Sequence, residues 1–104
     1  MKIAKVVGNL VATQKSEKLT GLKLLLVREC DAEGNPKGGV VVAADSVGAG
    51  AGDTILLVCG SSARMAYPKE GTPIDAAVVA IIDGIEMDGK LVRPNALPAA
   101  VRSR

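Results

Sequence analysis

Short apolar runs alternate with polar turns along most of the chain, and glycine, proline, asparagine or aspartate stands in most of these turns. Runs of this length that are rich in valine, isoleucine and leucine predict β-strands. Gly8 interrupts the first run, and a glycine inside a strand often marks a bulge or a sharp bend. Five strands are predicted, over residues 1–14, 23–30, 39–47, 53–60 and 78–87.

Five short strands with little helix between them are typical of a small barrel. The pattern therefore predicts a mainly β fold, namely a small, partly open, five-stranded OB-like β-barrel. One short helix is expected between the fourth and fifth strands, at residues 61–66. Ser61 or Ser62 can cap its first turn by accepting a hydrogen bond from a backbone N–H. Pro68 and Pro73 prevent a longer helix.

The domain organisation is expected to be simple, because 104 residues is the usual size of one domain. We expect a single barrel domain over residues 1–89 and a C-terminal extension over residues 90–104. That extension contains two prolines and ends in Arg102-Ser103-Arg104, so an extended or frayed tail is expected there.

The composition limits how stable a single copy can be. Hydrophobic residues make up 48% of the chain but aromatic residues only 1%, with Tyr67 as the one aromatic side chain. A core of valine, isoleucine, leucine and alanine has little volume per residue, so we expect a marginal monomer that gains stability by burying surface against partners. The net charge of +2 is too small to indicate nucleic acid or an anionic membrane as a partner.

The side chains needed for common catalytic and metal sites are missing or badly spaced. The chain has no histidine, which is the commonest general base and zinc ligand. Cys30 and Cys59 lie too far apart in sequence for a metal-binding pair. They are expected to be buried, reduced thiols, with a disulfide between neighbouring strands as the less favoured alternative. No catalytic, metal-binding or cofactor-binding residue is predicted, and the chain is not expected to be an enzyme.

Four aspartates stand among apolar neighbours and are the best candidates for buried carboxylates. One interpretation is an acid pair; the favoured one is that each carboxylate accepts hydrogen bonds from backbone N–H groups or from arginine in a turn. The four residues are Asp45, Asp53, Asp75 and Asp83.

A run of alternating glycine and alanine at residues 48–52 resembles a phosphate-binding loop only superficially. It lacks the Gly-Lys-Ser/Thr ending, and a predicted strand follows it where a phosphate loop would be followed by a helix. Close approach of another backbone accounts better for its composition.

Several segments, in order and at similar spacing, resemble the EutN/CcmL family of bacterial microcompartment vertex proteins. They cover nearly the whole chain, although residues 93–104 match none of the family's motifs. The segments are 1–8 (MKIAKVVG), 13–15 (TQK), 21–27 (GLKLLLV), 44–50 (ADSVGAG), 60–64 (GSSAR) and 73–83 (PIDAAVVAIID).

The resemblance implies a structural shell protein that assembles as a homopentamer and caps the five-fold vertices of a polyhedral shell around encapsulated enzymes. Its implied partners are other copies of itself, hexameric shell proteins and the enclosed enzymes, with no nucleic acid and no membrane. The implied location is the shell of a cytoplasmic microcompartment. The alternative is an OB-type binding module for single-stranded nucleic acid or peptide, which the lack of stacking aromatics disfavours.

Composition and resemblance together indicate which residues lie at the pentamer axis or the subunit interface. Small residues permit the close approach that a ring needs near its axis, although both small-residue segments can equally be simple tight turns. An arginine can bind a carboxylate with two parallel hydrogen bonds, within or between subunits, although a solvated surface arginine is the alternative. The candidates are Gly48, Ala49, Gly50, Ala51, Gly52, Ser61, Ser62, Ala63, Arg64 and its proposed partner Asp75.

Overall fold

The architecture follows from a computed structural model that describes residues 1–67 and 71–94. A short 3-10 turn, Glu17–Leu19, connects the first two strands. The other elements, in chain order, are β1 (Lys2–Asn9), β2 (Lys23–Cys30), β3 (Pro36–Asp45), β4 (Thr54–Cys59), α1 (Ser61–Ala66), β5 (Ala76–Ile81), β6 (Ile85–Met87) and β7 (Lys90–Val92).

The first five strands close into a barrel in the order β1-β2-β3-β5-β4. Neighbouring strands are antiparallel except β3 and β5, which run parallel and pair through Ala44 with Ala77 and Asp45 with Val78. This short pairing closes the barrel, and among the described residues most of β3 has no neighbouring strand on that side. The predicted mainly β, five-stranded barrel with one short helix between strands four and five is therefore confirmed, but the barrel is closed where a partly open one was expected, because β3 and β5 pair.

The barrel interior is filled by aliphatic side chains that alternate along the strands, as a half-buried strand requires. The pairing of β1 with β2 shifts register between Val6 and Gly8, which confirms the bulge expected at that glycine. The largest fully buried side chains in the interior come from four different strands: Val6, Leu25, Val27, Ile55 and Val78.

A second apolar cluster lies outside the barrel, where α1 covers β4 and β5. Its buried members are Ala44, Val58, Ala63, Ile74 and Ala77. Three of these residues are alanines, whose short side chains let the helix approach the sheet closely. The small residues at this contact therefore have a role in packing within one protomer.

The helix start differs from the sequence prediction. Gly60 occupies the position before the helix with a φ of 66°, and no side chain caps the first turn. The expected cap by Ser61 or Ser62 is therefore wrong. The chain must turn sharply from β4 into the helix at this point, and the positive φ that the turn requires favours glycine over a capping serine.

The predicted fifth strand is divided in two. β5 ends at Ile81, and the amide of Ile82 donates to the carbonyl of Thr54, which ends the barrel pairing. The chain then forms a hairpin, β6–β7, through Asp88 and Gly89, whose φ values of 53° and 75° are those of a type I′ turn. The hairpin crosses position 89, where the barrel domain was expected to end, and residues 95–104 of the expected tail lie outside the described residues.

The two cysteines have different environments. Both thiols are free, but Cys30 is buried whereas Cys59, at the end of β4, is exposed. The expectation that both are buried is therefore wrong for Cys59, which is the last residue of β4. Burial raises the pKa of the Cys30 thiol, which keeps it protonated and unreactive near neutral pH.

Candidate functional site

The glycine loop, residues 46–52 between β3 and β4, is held rigidly by one buried carboxylate. Asp45 accepts hydrogen bonds from the backbone N–H groups of Val47 (3.3 Å), Gly48 (3.0 Å) and Ala49 (3.1 Å). The Lys23 ammonium lies 3.6 Å from the same carboxylate and donates to the carbonyl of Ala49 at 2.6 Å. A lysine on β2 and an aspartate on β3 thus act together on the backbone of the loop.

A second aspartate fixes the far end of the glycine loop. The Asp53 carboxylate accepts from the backbone N–H of Gly50 at 2.8 Å. The interpretation of Asp45 and Asp53 as acceptors for turn backbone is therefore confirmed. Asp75 and Asp83, the other two aspartates with apolar sequence neighbours, are exposed.

The loop closes one end of the barrel and presents its tip outward. Ala49 is fully buried and belongs to the interior core. Gly48, Ala51 and Gly52 are exposed, and Gly50 is half-buried. Of the five small residues expected at the axis or interface, four therefore reach the surface, whereas the methyl group of Ala49 fills the barrel.

Gly50 has no role within one protomer that requires glycine. Its φ is ordinary, and a methyl group added at its Cα would meet no atom of residues 1–67 or 71–94 within 4 Å. Neither backbone conformation nor crowding therefore accounts for it, unlike Gly48 and Gly52, whose φ values are positive. A residue with no side chain at an open position is what close approach of another molecule would need.

The first of two apolar surfaces, here called the β3 groove, runs along the outer face of β2 and β3. It has a volume of about 230 Å³. Val42 is 41% and Leu10 is 40% exposed, so a substantial apolar area faces water in a single copy. Asp75 adds a carboxylate to this otherwise apolar lining. The lining residues are Leu10, Leu19, Leu24, Val42, Ala44, Pro73, Ile74, Asp75 and Ala76.

The second apolar surface, the α1 pocket, lies beside the helix and has a volume of about 410 Å³. Met1 and Met65 are 89% and 85% exposed. Methionine is flexible and polarisable, which suits a surface that adapts to a partner. The lining residues are Met1, Val58, Ser62, Met65, Ala66 and Val79.

The structure separates the predicted site residues into two groups. The glycine loop precedes β4 and α1 follows it, so a six-residue strand, about 20 Å long, lies between them. Within one protomer the two small-residue segments do not meet. Ser61 and Ser62 are exposed, whereas Ala63 is fully buried under the helix.

Arg64 and Asp75 do belong to one local structure. The Arg64 Nη1 donates to the carbonyl of Ile74 at 3.2 Å, and the amide of Gly60 donates to the carbonyl of Asp75 at 2.8 Å. Arg64 therefore ties α1 to the segment that leads into β5. Its contact is with the backbone next to Asp75, and the two side chains are both exposed.

Sequence reasoning did not identify the outer face of β3 as a functional surface. Val40 and Val42 lie on this face, and Val41 lies on the face of the interior residue Ala43; all three are more than two-fifths exposed. The sequence did contain a signal for this surface, namely the continuous apolar run at residues 40–44. A strand that is apolar on both faces is typical of a strand covered on both faces, which this barrel alone does not provide.

Comparison with known proteins agrees with the geometry. The model of the EutN_CcmL family, described as ethanolamine utilisation protein EutN/carboxysome, matches residues 1–83. The chain belongs to the EutN/CcmL family. It is 48% identical over 92 residues to the bacterial microcompartment shell vertex protein EutN of Salmonella typhimurium, covering 88% of this chain and 93% of that one.

Solved structures extend the likeness to three dimensions. The CcmL of a Nostoc species has a TM-score of 0.81 and 51% identity, over 88% of this chain and 96% of that chain. The pentameric microcompartment shell protein GrpN from Rhodospirillum rubrum has a TM-score of 0.73 and 44% identity, over 84% of this chain and 98% of that chain. In both cases the likeness extends over almost the whole of the relative's structure.

These findings decide between the classes of function considered from the sequence. The relatives are structural shell vertex proteins, which confirms that the chain is not an enzyme and gives no support to the nucleic-acid or peptide-binding alternative. In the part of the chain that the structure describes, no cluster of His, Cys, Asp and Glu could hold a metal ion. Within residues 1–67 and 71–94, no helix is long and apolar enough to cross a membrane.

Proposed function

We propose that five copies of this chain form a ring that caps the five-fold vertices of a bacterial microcompartment shell in the cytoplasm. The observation that carries this proposal is the match of its barrel to a pentameric shell protein over 98% of that protein's length. The chain is a structural protein, and its function is to complete a closed protein shell around enzymes.

The mechanism is geometric. A sheet of six-fold tiles is flat, so a closed shell needs a five-fold tile at each corner to supply curvature. A ring of identical subunits uses a heterologous contact, in which one surface of a protomer meets a different surface of the next. The β3 groove and the α1 pocket are two separate apolar surfaces of one protomer, and their exposure in a single copy supports such a ring.

The candidate residues of the glycine loop and α1 have separate roles in this ring. The tip of the glycine loop can approach a second copy closely, and the open space around Gly50 supports this role. The tip consists of Gly48 and residues 50–52. Ser62 belongs to the α1 pocket and Asp75 to the β3 groove. A lasting pentamer should bury more than about 1,000 Å² per contact with an apolar centre, which both surfaces can contribute.

Hexameric shell proteins are the expected neighbours of the ring, and the enclosed enzymes are a further expected partner. A five-fold cap closes a corner only if its rim meets the edges of the surrounding tiles. Capping a corner requires the hexameric shell proteins, so this part of the proposal is tested in their presence.

Two experiments test the proposed function. Native mass spectrometry of the purified chain should show a species of five subunits, and a monomer at high concentration would contradict the proposal. Co-expression with a hexameric shell protein should give closed particles with this chain and particles with open corners without it. If the particles close equally well in both cases, the chain does not cap vertices.

Replacing Arg64 with alanine should weaken the pentamer. The substitution removes the hydrogen bond that holds α1 to the segment before β5, and with it the positions of the α1 pocket and Asp75. We expect a loss of up to about 1.5 kcal/mol in protomer stability and pentamer dissociation at higher protein concentration. Arg64→Lys, which keeps the charge without the planar fork, is the matched control. A pentamer mass that is unchanged on dilution of Arg64→Ala would contradict this prediction.

A further inference from the structure

Three of the five cations on β1, β2 and β3 take part in ion pairs. Lys2 on β1 and Lys37 on β3 lie 3.6 and 4.0 Å from the Glu29 carboxylate. Lys23 on β2 lies 3.6 Å from the Asp45 carboxylate. Pairing with an acid is therefore the rule for cations in this sheet, and the two remaining cations depart from it.

The two remaining cations, Lys5 on β1 and Arg28 on β2, lie directly opposite each other in the antiparallel pairing of these strands. Both project from the outer face of the barrel, because their sequence neighbours Val6 and Val27 belong to the interior core. Neither cation forms an ion pair with any residue that the structure describes. Like charges directly opposite each other destabilise a sheet, so this pair costs stability unless an anion lies beside both.

The acids closest to Arg28 in sequence are engaged elsewhere. Glu29 points to the opposite face of β2 and binds the two lysines named above. Asp31, in the turn after β2, accepts hydrogen bonds from the backbone amide and the side-chain amide of Asn35, at 2.9 and 3.1 Å. These hydrogen bonds lower the pKa of the Asp31 carboxyl, so its charge is stabilised within the turn. The positive charge of the cation pair is therefore met by neither acid.

Unmet hydrogen-bonding groups adjoin the same pair. The Nε of Arg28 is buried and has no hydrogen-bond partner among the described residues. Thr54 of β4 lies opposite Lys5 on the other side of β1, and it faces outward because the next residue, Ile55, is in the interior core. Thr54 is 1% exposed, and its hydroxyl has no partner within residues 1–67 and 71–94. Buried polar groups are nearly always hydrogen-bonded, so this row of three donors lacks an acceptor.

The chemistry of the row indicates which anion it would take. Lys5 and Arg28 carry two positive charges, and the planar guanidinium suits two oxygens of one phosphate group. A single carboxylate would neutralise only one of the two charges. A phosphate group carries a charge of about −1.5 to −2 near neutral pH and has an oxygen for each donor, so it fits both the charge and the number of donors.

We infer that Lys5, Arg28 and Thr54 form a binding site for a phosphate dianion on the outer face of the barrel. The two cations hold its charge, and the threonine hydroxyl donates a further hydrogen bond. Inorganic phosphate and the phosphate group of a small ester share this chemistry, and the experiment below separates them. The site goes beyond the proposed function, because binding an anion does not require five copies of the chain.

Thermal unfolding of the full chain in inorganic phosphate tests the site, with sodium chloride at the same ionic strength as the reference. Phosphate at about ten times its Kd should raise the Tm by about 5 °C, because a ligand that binds only the folded state stabilises it. Isothermal titration calorimetry with inorganic phosphate should show one site per chain. Glycerol 3-phosphate is the second probe: equal affinity assigns the site to the phosphate group alone, and tighter binding assigns it to an ester.

Substitutions in the row should separate phosphate binding from a purely structural role. Lys5→Met keeps the apolar stem and removes the charge, so it should abolish the rise in Tm with phosphate. It should also raise the Tm in chloride, because it relieves the contact between like charges. Thr54→Val removes only the hydroxyl and should weaken phosphate binding by about tenfold. Lys18→Met is the matched control, since Lys18 is an exposed lysine on the 3-10 turn, and it should keep the full response.

Three results would overturn the site. The first is no binding of phosphate, or equal binding by the unsubstituted chain and Lys5→Met. The second is a lower Tm of Lys5→Met in chloride, which would mean that Lys5 already has an acidic partner. The third is loss of the pentamer in Lys5→Met by native mass spectrometry, which would assign the pair to a carboxylate of another copy. An unsubstituted chain that stays monomeric rejects the proposed function and leaves the phosphate site standing, so the two proposals fail separately.

Discussion

Replacing Asp45 with alanine should lower the free energy of unfolding by about 3 kcal/mol and loosen the glycine loop. The substitution removes the acceptor of three backbone N–H groups and leaves the Lys23 ammonium without its carboxylate. A buried donor that loses its partner costs about 1–3 kcal/mol, and of these three donors only the Ala49 amide is fully buried. The amides of Val47 and Gly48 are half-buried, so they recover part of their loss from water. Ala49 would then lose its fixed position at the end of the barrel core.

Asp45→Asn is the matched control, because it keeps the shape of the side chain and one oxygen acceptor but replaces the second oxygen with a donor. We expect its loss of stability to be smaller than that of alanine. Urea unfolding at one fixed protomer concentration measures both values, with native mass spectrometry confirming that the oligomeric state is the same. If the alanine variant were as stable as the unsubstituted chain, the carboxylate would not be what holds the loop.

Replacing Leu25 with alanine should destabilise the barrel by about 2–5 kcal/mol, the range for large-to-small changes in a core. Leu25 is fully buried on β2. Its cluster includes Ala4, Ala43 and Ala49, whose side chains are too short to move into the space. An aromatic-free core therefore has little means of refilling the cavity.

Val11→Ala provides the contrast, because Val11 is 86% exposed and its truncation should change stability by less than about 0.5 kcal/mol. Thermal and urea unfolding of the two variants at equal protein concentration measure the difference. Equal stabilities would mean that the barrel interior is not the main source of stability in one protomer. The Leu25 variant should also yield less pentamer, because assembly requires a folded barrel.

The apolar residues of this chain are divided between the barrel core and its exposed surfaces, so the stability of one protomer and its assembly are linked. The barrel buries small aliphatic side chains and leaves Val40, Val42, Met65 and Met87 in water. Apolar area contributes about 25 cal/mol per Å² when it is buried, so covering these surfaces in a ring adds stability that the core alone lacks. We therefore expect the ring to be more stable than a single chain.

Local signals account for the elements that were predicted with the right bounds. The run at 23–30 lies between a polar connection and a turn, and the structure has β2 at Lys23–Cys30. The helix prediction at 61–66 agrees with α1, because glycine precedes it and Pro68 follows it closely. The bulge at Gly8 was equally predictable, since a glycine inside an apolar strand commonly marks a bulge or a bend.

Other features depended on contacts between segments far apart in sequence. The apolar pattern from 78 to 87 gives no sign of the break after Ile81, which arises because the barrel pairing with β4 ends there. The different burial of Cys30 and Cys59 is likewise decided by how the strands pack, since both lie in apolar runs. The separation of the glycine loop from α1 follows from their positions at the two ends of β4.

The sequence by itself determined the barrel class, the family and the absence of catalytic side chains, because each depends on residue types and short-range periodicity. Tertiary structure alone decided which small residues face the core, which strand of the barrel keeps an open edge, and which element stands apart from it. The physical reason is that strand register and closure place side chains inside or outside, and these are set by pairing between distant segments.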